Sequence, residues 1–580
     1  MFEEDLKLKE TIRKIALLNA VKHNGKAQIG PVIGKLLAEK PELKSEVKKL
    51  ASFIGKIVQE VNNLSLKEQK RILEEHWPEA LVKVRVEGER KLPPLPNVNK
   101  YPKVVTRFSP NPDCVLHLGS ARAIVLCYEY SRMYKGKFIL RFEDTDPKLK
   151  RPVLEFYDRI REDLIWLGCK PDEEYIQSDR IPIYYEYAEK LLKDGKAYVC
   201  TCKPEVFRER ILAKKPCDCR NLPPEEQLSR WEHMLNGEYE EGEAVVRIKT
   251  DLNHPNPAVR DWPALRIINS KKYPHPRVGD KYRVWPLYNF ACGLDDHLME
   301  VTHIIRGKEH YTNMVRQKYM YKYLGWKYPE AIHYGRLKIT GASLSKSKIV
   351  QGIREGIYKD WDDPRLATFA ALRRRGITPE AIKKLIIDVG PKTSDVILSW
   401  ENLYAYNRKI IDPKADRYFF VQNPAKLKVK NVPKKIKAEI RLHPDNPNRG
   451  FKEYVIEPKG KDNSVVFWIS KKDLKEKNKV RLMGLFNIRF EKKNEVSAEA
   501  IFLGESYEEA KKAGIPLIHW VLLGSEIPCK VVMPDATTSE GVAEAYCERL
   551  KPNDIIQFER FGFVRIDKVD KTLTAYYAHK

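Results

Sequence analysis

Four of the chain's ten cysteines lie in two close pairs, a spacing at which thiolates can hold a metal ion. Cys200 and Cys202 form the first pair, and Cys217 and Cys219 follow after fourteen intervening residues. Two C-x-C pairs at this spacing can close a tetrahedral zinc site. The alternative is four reduced cysteines in a loop without a metal. We favour zinc in a structural role, because four sulfur ligands leave no coordination position open for catalysis.

A second group of residues that could do chemistry lies where a strand is followed by a helix. The segment "VVTRFSPNPDCVLHLGSARAIVL", residues 104–126, starts with β-branched residues, crosses a loop with two prolines and ends in a run of helical periodicity. We predict a strand over "KVVTRF", a helix that continues towards Tyr134 with Gly136 as its stop, and a second strand over "KFILRFEDTDP". Together they form a βαβ unit, which indicates a parallel sheet.

Sheets of this kind bind ligands at the carboxyl ends of their strands, where helix N-termini favour anions. His117 and Gly119 lie at the predicted helix start, Arg107 ends the first strand, and Glu143 and Asp144 end the second. We therefore expect these five residues to face one crevice. The loop holds no G-x-G-x-x-G, so the segment lacks a dinucleotide-binding fingerprint.

The elements that position these residues must belong to several domains, because 580 residues exceed what one core can hold. The net charge of +26, from 106 Lys and Arg against 80 Asp and Glu, favours a polyanionic partner such as nucleic acid. No apolar run reaches the roughly 18 residues of a membrane span. The N-terminal "MFEEDLKLKETIRK" is not a secretory signal, so we expect a cytoplasmic protein with no membrane partner.

Periodicity divides the chain into regions of different structure. Residues 1–90 have helical spacing, including Ser65 and Glu68 in the arrangement of a capping box. After the turn-rich "KLPPLPNVNKYPK" strands alternate with helices, and residues 360–400 are helical again. Beyond about residue 410, short alternating runs such as "RYFFVQ", "SVVFWIS" and "DIIQFERFGFVRID" predict one or two β-barrels.

Several segments, taken in order, resemble a known enzyme family. "RFSPNPDCVLHLGSARA" resembles the HIGH signature of class I aminoacyl-tRNA synthetases, and "ASLSKSK", residues 342–348, resembles their KMSKS loop. "LRFEDTDP" and "WDDPRLATFAALRRRGIT" are similar to segments of the glutamyl/glutaminyl subgroup. "IHWV" and "QFERFGFVRID" resemble the β-barrel region of its archaeal and eukaryotic branch. The resemblance extends from about residue 100 to the end of the chain.

This resemblance implies a multidomain α/β fold around a Rossmann-like catalytic domain. It adds an acceptor-binding insertion, a helical linking domain, C-terminal anticodon-binding β-barrels and an N-terminal helical extension. The expected parts are residues 1–95 for the extension, 96–180 and 286–336 for the two halves of the catalytic domain, 181–285 for the insertion with the zinc site, 337–408 for the helical domain with the KMSKS-like loop, and 409–580 for the barrels.

The implied reaction is the activation of an amino acid by ATP and Mg²⁺ and its transfer to the 3′-terminal adenosine of a tRNA. Such a reaction asks the protein mainly for positioning and charge neutralisation. The resemblance assigns His117 to the phosphates and Gly119 to close approach of the adenine, and Ser120 stands where the signature has its second histidine. It places Lys346 and Lys348 on a mobile loop that reaches the departing pyrophosphate. Arg336 and Leu337 complete the implied ATP site.

Arg306, in "VTHIIRGKEH", decides which amino acid the resemblance implies. The glutaminyl enzymes have a small uncharged residue there, and a guanidinium pairs with a carboxylate far better than with an amide. We therefore expect glutamate, with Arg107 as second contact to its side chain, Glu143 at its ammonium group and Tyr288 lining the pocket. The alternative for Arg306 is a surface ion pair with Glu309.

The implied partners are tRNA(Glu), ATP and L-glutamate, and use of tRNA(Gln) stays open. A glutaminyl enzyme, a catalytically inactive tRNA-binding paralogue and a nucleotidyl transferase acting on a modified base are the rival interpretations. The strand-rich C-terminal region disfavours the last of these. We expect a monomer and assign no chemistry to the first 90 residues.

Overall fold

The computed structural model describes residues 6–22, 25–40, 43, 46–77, 91–341, 345–433, 435–475 and 478–580. The chain forms two compact units, residues 1–90 and residues 91–580. Among the described helices, none combines the length and the apolar character that crossing a membrane requires.

The unit of residues 1–90 is helical, as its periodicity predicts. Its described helices are α1 (Leu6–Lys22), α2 (Ile29–Glu39), α3 (Val47–Asn62) and α4 (Leu66–His76). Apolar residues three and four apart bring Ile12, Leu36 and Ile54 into a shared core, where all three are fully buried. The predicted capping box is confirmed, because Ser65 accepts from the amide of Glu68 while its own amide donates to the Glu68 carboxylate at 2.9 Å.

The larger unit begins with the predicted βαβ arrangement. Strands β1 (Val105–Phe108), β2 (Lys137–Phe142) and β3 (Glu173–Ile176) pair in parallel in that order, with α5 (Leu118–Met133) and α6 (Leu154–Trp166) between them. Gly136 follows α5, where an added Cβ would lie 2.1 Å from the carbonyl oxygen of Val104. The glycine therefore permits the return of the chain into the sheet by close approach of two backbones.

A second parallel pair continues this layer. Strands β8 (His303–Gly307) and β9 (Glu330–Tyr334) pair in parallel, and their helices are α10 (Tyr288–Leu298) and α11 (Tyr311–Leu324). The amide of Thr302 donates to the carbonyl of Val105 at 3.0 Å, which joins the start of β8 to the start of β1. The ends of β1, β2 and β8 consequently lie at one edge, where ligands bind in parallel sheets.

Between the three-stranded parallel sheet and the parallel pair, the chain forms an insertion with antiparallel strands. Strands β4 (Ala197–Cys200), β5 (Val245–Ile248), β6 (Pro263–Ile267) and β7 (Val284–Pro286) pair in sequence order. Its helices are α7 (Ile181–Lys193), α8 (Pro204–Leu212) and α9 (Pro224–Asn236). Trp262 and Trp285 are almost fully buried in its core, which gives this region a large apolar centre.

The helical region that follows contains one deviation from the sequence-based expectation. Strands β10 (Leu337–Ile339) and β11 (Val396–Leu398) pair in parallel, and the helices are α12 (Lys346–Arg354), α13 (Phe369–Arg374), α14 (Pro379–Val389) and α15 (Trp400–Ile411). We expected Lys346 and Lys348 on a loop, but both lie in the first turn of α12. The helix forms because Ile349 and Ile353 share one packed face and no glycine or proline interrupts its first turn. Residues 342–344 lie outside the described residues.

The predicted strand-rich region after residue 410 is confirmed, and it forms two seven-stranded sheets. The first contains β12 (Arg417–Tyr418), β13 (Phe420–Gln422), β23 (Glu526–Val532), β24 (Thr538–Glu544), β25 (Ile555–Phe558), β26 (Gly562–Lys568) and β27 (Leu573–His579). The second contains β14 (Pro424–Lys430), β17 (Val465–Ser470), β18 (Lys479–Leu482), β19 (Asn487–Lys493), β20 (Ser497–Gly504), β21 (Leu517–Ile518) and β22 (Val521–Leu522). The hairpin β15 (Ile436–Arg441) and β16 (Phe451–Ile456) and the short helix α16 (Tyr507–Lys512) complete the region.

A fully buried arginine ties α5 to the helical region. The guanidinium of Arg122 donates to the carbonyl oxygens of Gly335, Gly390 and Lys392, the last at 3.0 Å. We expect Arg122→Met to lower the free energy of unfolding of this part of the chain by about 3 kcal/mol, because buried carbonyls lose a charged donor. Urea denaturation followed by tryptophan fluorescence measures the change.

The control for this prediction is Arg132→Met on the same helix. Arg132 forms a half-exposed ion pair with Asp172, so its loss is expected to cost less than about 1 kcal/mol. Equal effects of the two substitutions would contradict the role assigned to Arg122.

Candidate active site

A cavity of about 670 Å³ opens at the edge where β1, β2 and β8 end. Its lining includes Arg107, Glu143, Tyr288 and Arg306, the four residues that the sequence analysis assigned to an amino acid. Arg107 lies on β1 and Arg306 on β8, Glu143 directly follows β2, and Tyr288 begins α10. The parallel strand order brings them together.

Arg306 is a buried cation with uncharged partners. Its Nη1 donates to the Tyr288 hydroxyl at 3.3 Å, and its Nη2 donates to Gln317 Oε1 at 3.2 Å and to the Tyr328 hydroxyl at 3.1 Å. Its Nε is buried without a hydrogen-bond partner among the described residues. The side chain is 5% exposed, so the alternative of a surface ion pair with Glu309 is wrong. A buried charge of this kind attracts an anion into the cavity.

Arg107 differs from Arg306, because a carboxylate already neutralises it. Arg107 Nε and Nη2 donate to Asp296 Oδ1 and Oδ2 at 3.0 and 3.3 Å, and Arg141 Nη1 donates to the same Oδ1 at 2.9 Å. Burial would raise the pKa of Asp296, but Arg107 and Arg141 outweigh it and lower that pKa to about 2. Asp296 is therefore ionised, and it shares its charge between two guanidinium groups.

Glu143 faces the cavity while its neighbour Asp144 does not. Glu143 accepts from Arg141 Nη2 at 3.0 Å, and burial raises its pKa against the opposing effect of Arg141 and Arg107. The expectation that Asp144 faces the same crevice is wrong. Asp144 is fully buried and accepts from the hydroxyls of Tyr157 at 2.6 Å and Ser178 at 2.7 Å. Successive side chains at a strand end point in opposite directions, which separates the two carboxylates.

His117 forms the N-cap of α5, which explains why it lies at a helix start. Its Nδ1 accepts from the amide of Gly119 at 3.0 Å, and burial lowers its pKa. A neutral ring that accepts at Nδ1 carries its proton on Nε2, so Nε2 is a donor available to a ligand. His117, Gly119 and Ser120 do not line the cavity itself, but they occupy the helix N-terminus that follows β1.

The segment "DDPRLATF" holds this helix start in place. The amide of Leu118 donates to the carbonyl of Ala367 at 2.9 Å, and His117 forms an isolated β-bridge with Thr368. Two segments that resemble family motifs, some 250 residues apart in the sequence, are therefore in direct backbone contact.

Lys346 contacts the loop that precedes His117. Its ammonium group forms an ion pair with Asp113, whose carboxylate also accepts from Asn111 Nδ2 at 3.1 Å. Arg336 and Leu337 do not line the cavity, and the side chain of Arg336 is mostly exposed, 3.9 Å from Glu309. The structure thus brings Lys346 to the signature segment and leaves Arg336 at the surface.

The two cysteine pairs converge as their spacing predicts. The four Sγ atoms lie within 4.8 Å of one another, with Cys200 and Cys217 3.9 Å apart and Cys202 and Cys219 3.7 Å apart. Zn–S bonds of about 2.3 Å in a tetrahedron require sulfur atoms roughly 3.8 Å apart. The donor set and its dimensions therefore fit a zinc ion.

Five residues of the site were not identified from the sequence. They are the partners of the predicted arginines and glutamate, namely Arg141, Cys292, Asp296, Gln317 and Tyr328. The sequence contains a signal for two of these five residues. Arg141 is the charged residue inside the apolar run "KFILRF", and Asp296 belongs to an acidic pair inside the apolar helix "YNFACGLDDHL".

Comparisons with known proteins cover nearly the whole chain. The sequence model for tRNA synthetases class I (E and Q), catalytic domain, matches residues 103–413, and the models for the anti-codon binding domain match residues 415–503 and 517–567. A glutamate–tRNA ligase of Pyrococcus abyssi is 55% identical over 98% of this chain and 99% of its own length. A glutamate–tRNA ligase of Methanocaldococcus jannaschii is 48% identical over 99% of this chain and 100% of its own length. A crystal structure of a glutamate tRNA ligase from Elizabethkingia meningosepticum covers 54% of this chain and 70% of its own, with 25% identity and a TM-score of 0.40.

The cap formed by His117 makes a prediction about pH. Because burial lowers the pKa of His117, its contribution to stability is complete above the ordinary value of about 6.5 and is lost as the pH falls below it. Protonated Nδ1 cannot accept from Gly119. Relative to His117→Asn, which keeps a capping side chain without titrating, the native protein should become less stable between pH 7.5 and 5.5.

Urea midpoints at the two pH values measure this difference. His117→Ala serves as the control that lacks a cap, and it should cost about 1 kcal/mol at pH 7.5. An unchanged difference between the native protein and His117→Asn at both pH values would contradict the capping role.

Proposed function

Since the chain belongs to the class I tRNA synthetases for glutamate and glutamine, we propose that it is a glutamate–tRNA ligase. It activates L-glutamate with ATP and Mg²⁺ and transfers the glutamyl group to the terminal adenosine of tRNA(Glu). The observation that carries the choice of amino acid is Arg306, a buried guanidinium held by uncharged partners beside the cavity.

The cavity offers complementary groups for the side-chain carboxylate and the ammonium group of glutamate. Arg306 pairs with the side-chain carboxylate, and Arg107 adds a second contact through the part of its guanidinium that Asp296 leaves unengaged. Glu143 accepts from the ammonium group, and the hydroxyl of Tyr288 borders the same space. A neutral amide in place of the carboxylate would leave the charge of Arg306 buried and uncompensated, which disfavours glutamine.

Activation joins the α-carboxylate of glutamate to the α-phosphorus of ATP and breaks the bond to pyrophosphate. On the nucleotide side, His117 donates from Nε2 to a phosphate, Gly119 admits the adenine and the Ser120 hydroxyl adds a donor. Lys346 and Lys348 neutralise the departing pyrophosphate, for which Lys346 must leave Asp113. Arg336 and Leu337 complete the nucleotide site. The chain contributes charge and position in this step and makes no covalent bond to the substrate.

The second step is the attack of a ribose hydroxyl, which we assign as the 2′-hydroxyl of the terminal adenosine, on the activated carbonyl. AMP leaves as the new ester forms. The net charge of +26 suits the polyanionic substrate of this step. Charging of tRNA(Gln), a monomeric state, a cytoplasmic location and the division into six parts remain proposals of the sequence analysis.

Zinc is the proposed occupant of the cysteine cluster. Cys200, Cys202, Cys217 and Cys219 would hold it, and its four thiolates would make it structural. When bound, the ion would fasten the end of β4 to the turn after α8. It takes no part in either chemical step.

Charging assays with purified tRNAs test the proposed activity. We expect transfer of glutamate and little transfer of glutamine, and robust glutamine transfer would overturn the assignment.

Arg306→Cys removes the cation that pairs with the substrate carboxylate, so kcat/KM for glutamate should fall about 100-fold or more. Arg132→Cys, at a half-exposed ion pair, is the matched control and should retain native kinetics.

Elemental analysis tests the zinc site. Freshly purified protein should contain about one zinc ion per chain, and Cys202→Ser should lose most of it and lower the thermal unfolding temperature. Cys114→Ser, at a half-buried cysteine outside the cluster, should keep the full zinc content. Native protein without stoichiometric zinc would defeat the proposal.

A further inference from the structure

We propose that Gln317 is a specificity-determining positioning residue, whose neutral amide holds Arg306 in place without cancelling its charge. The inference rests on the proposed function and deepens it. Gln317 lies on α11, is fully buried and is eleven residues beyond Arg306 in the sequence.

The orientation of the Gln317 amide follows from its neighbours. Its Nε2 donates to the carbonyl oxygen of Asn289 at 3.3 Å, and a carbonyl can only accept. Its Oε1 accepts from Arg306 Nη2 at 3.2 Å, and a guanidinium can only donate. Both contacts require the same orientation, so the amide cannot flip without losing two hydrogen bonds.

Tyr328 closes this arrangement into a triangle. Its hydroxyl donates to Gln317 Oε1 at 2.7 Å and accepts from Arg306 Nη2 at 3.1 Å. Tyr288 accepts from the other terminal nitrogen at 3.3 Å. Rotation of the guanidinium would break contacts at both terminal nitrogens. The remaining N–H groups of Arg306 therefore point in a fixed direction.

The lack of charge on Gln317 matters as much as its position. Asp296 shows what a carboxylate does in this interior, because it binds Arg107 and Arg141 together and neutralises part of their charge. Its two oxygens are committed to those partners. Gln317 gives Arg306 an acceptor at comparable distance but no negative charge, so the cation remains available to an anionic ligand.

The substitution Gln317→Glu keeps the shape of the side chain and its acceptor for Arg306, adds an anion and loses the donor to the Asn289 carbonyl. We expect the adjacent Arg306 guanidinium to favour the ionised form of the new carboxylate, against the opposing effects of burial and of the Asn289 carbonyl. Steady-state aminoacylation by the full-length enzyme should show kcat/KM for glutamate reduced about 100-fold or more, chiefly through KM. The value for glutamine should not fall, so the preference for glutamate over glutamine should drop at least about 100-fold.

Gln317→Met is the second variant, and it removes the acceptor without adding charge. Arg306 then loses its alignment but keeps its attraction for an anion, so KM for glutamate should rise about tenfold while kcat changes little. This variant preserves side-chain volume, which keeps the inference testable if the acidic variant folds poorly.

Gln69→Glu supplies the control for placing a carboxylate in a buried amide position. Gln69 is fully buried in residues 1–90, where its Nε2 donates to three backbone carbonyls. That variant should lose thermal stability while its ratio of glutamate to glutamine charging stays native.

Two outcomes would overturn the inference. One is a KM for glutamate in Gln317→Glu that equals the native value. The other is a loss of kcat/KM that is equal for glutamate and glutamine and is in proportion to the loss of folded protein. Failure of the native enzyme to charge glutamate would instead sink the proposed function, so the two failures are distinguishable.

Discussion

The carboxylate of Asp296, shared between Arg107 and Arg141, is the interaction on which the site depends. Three buried guanidinium groups lie close together, and without an anion among them their mutual repulsion would be prohibitive. Asp296 forms ion pairs with two of them and offsets part of their charge, and Arg141 also pairs with Glu143. Arg306 is left with hydroxyl and amide partners. Among the described residues, Arg306 is thus the one of the three that forms no ion pair with a carboxylate, and it lines the cavity.

The parallel strand order makes this concentration of charge possible. Arg107, Arg141 and Arg306 come from three different strands, and each lies at or near the carboxyl end of its strand. Helix α10 supplies Asp296 and α11 supplies Gln317 from the connections around β8. A sheet with antiparallel neighbours would place alternate strand ends at opposite edges and separate these groups. The insertion with the cysteine cluster separates the two parallel sheets in the sequence, and the hydrogen bond from Thr302 to Val105 joins them in space.

Local pattern predicts much of this structure, and long-range partners account for what it misses. The βαβ unit follows from apolar runs, turn residues and Gly136, and the cysteine cluster follows from spacing alone. The contact of Arg107 with Asp296 joins residues 189 positions apart, and no periodicity encodes such a pairing. Asp144 was misplaced because one residue of register reverses the direction of a side chain at a strand end. Lys346 was expected on a loop because the segment resembles the KMSKS loop, whereas Ile349 and Ile353 pack on one face and a helix forms.

The ion pair of Lys346 with Asp113 has a consequence for how a nucleotide would be received. One ammonium group cannot serve two anions fully, so an incoming polyphosphate exchanges partners with the carboxylate instead of meeting an unengaged cation. Salt changes the free energy of this exchange less than it changes the free energy of forming a new ion pair. Dissolved ions screen the contact with Asp113 and the contact with the phosphate alike. Attachment at this lysine is thereby buffered against ionic strength by exchange, while Arg306 at the amino-acid end of the cavity is screened little because it is buried.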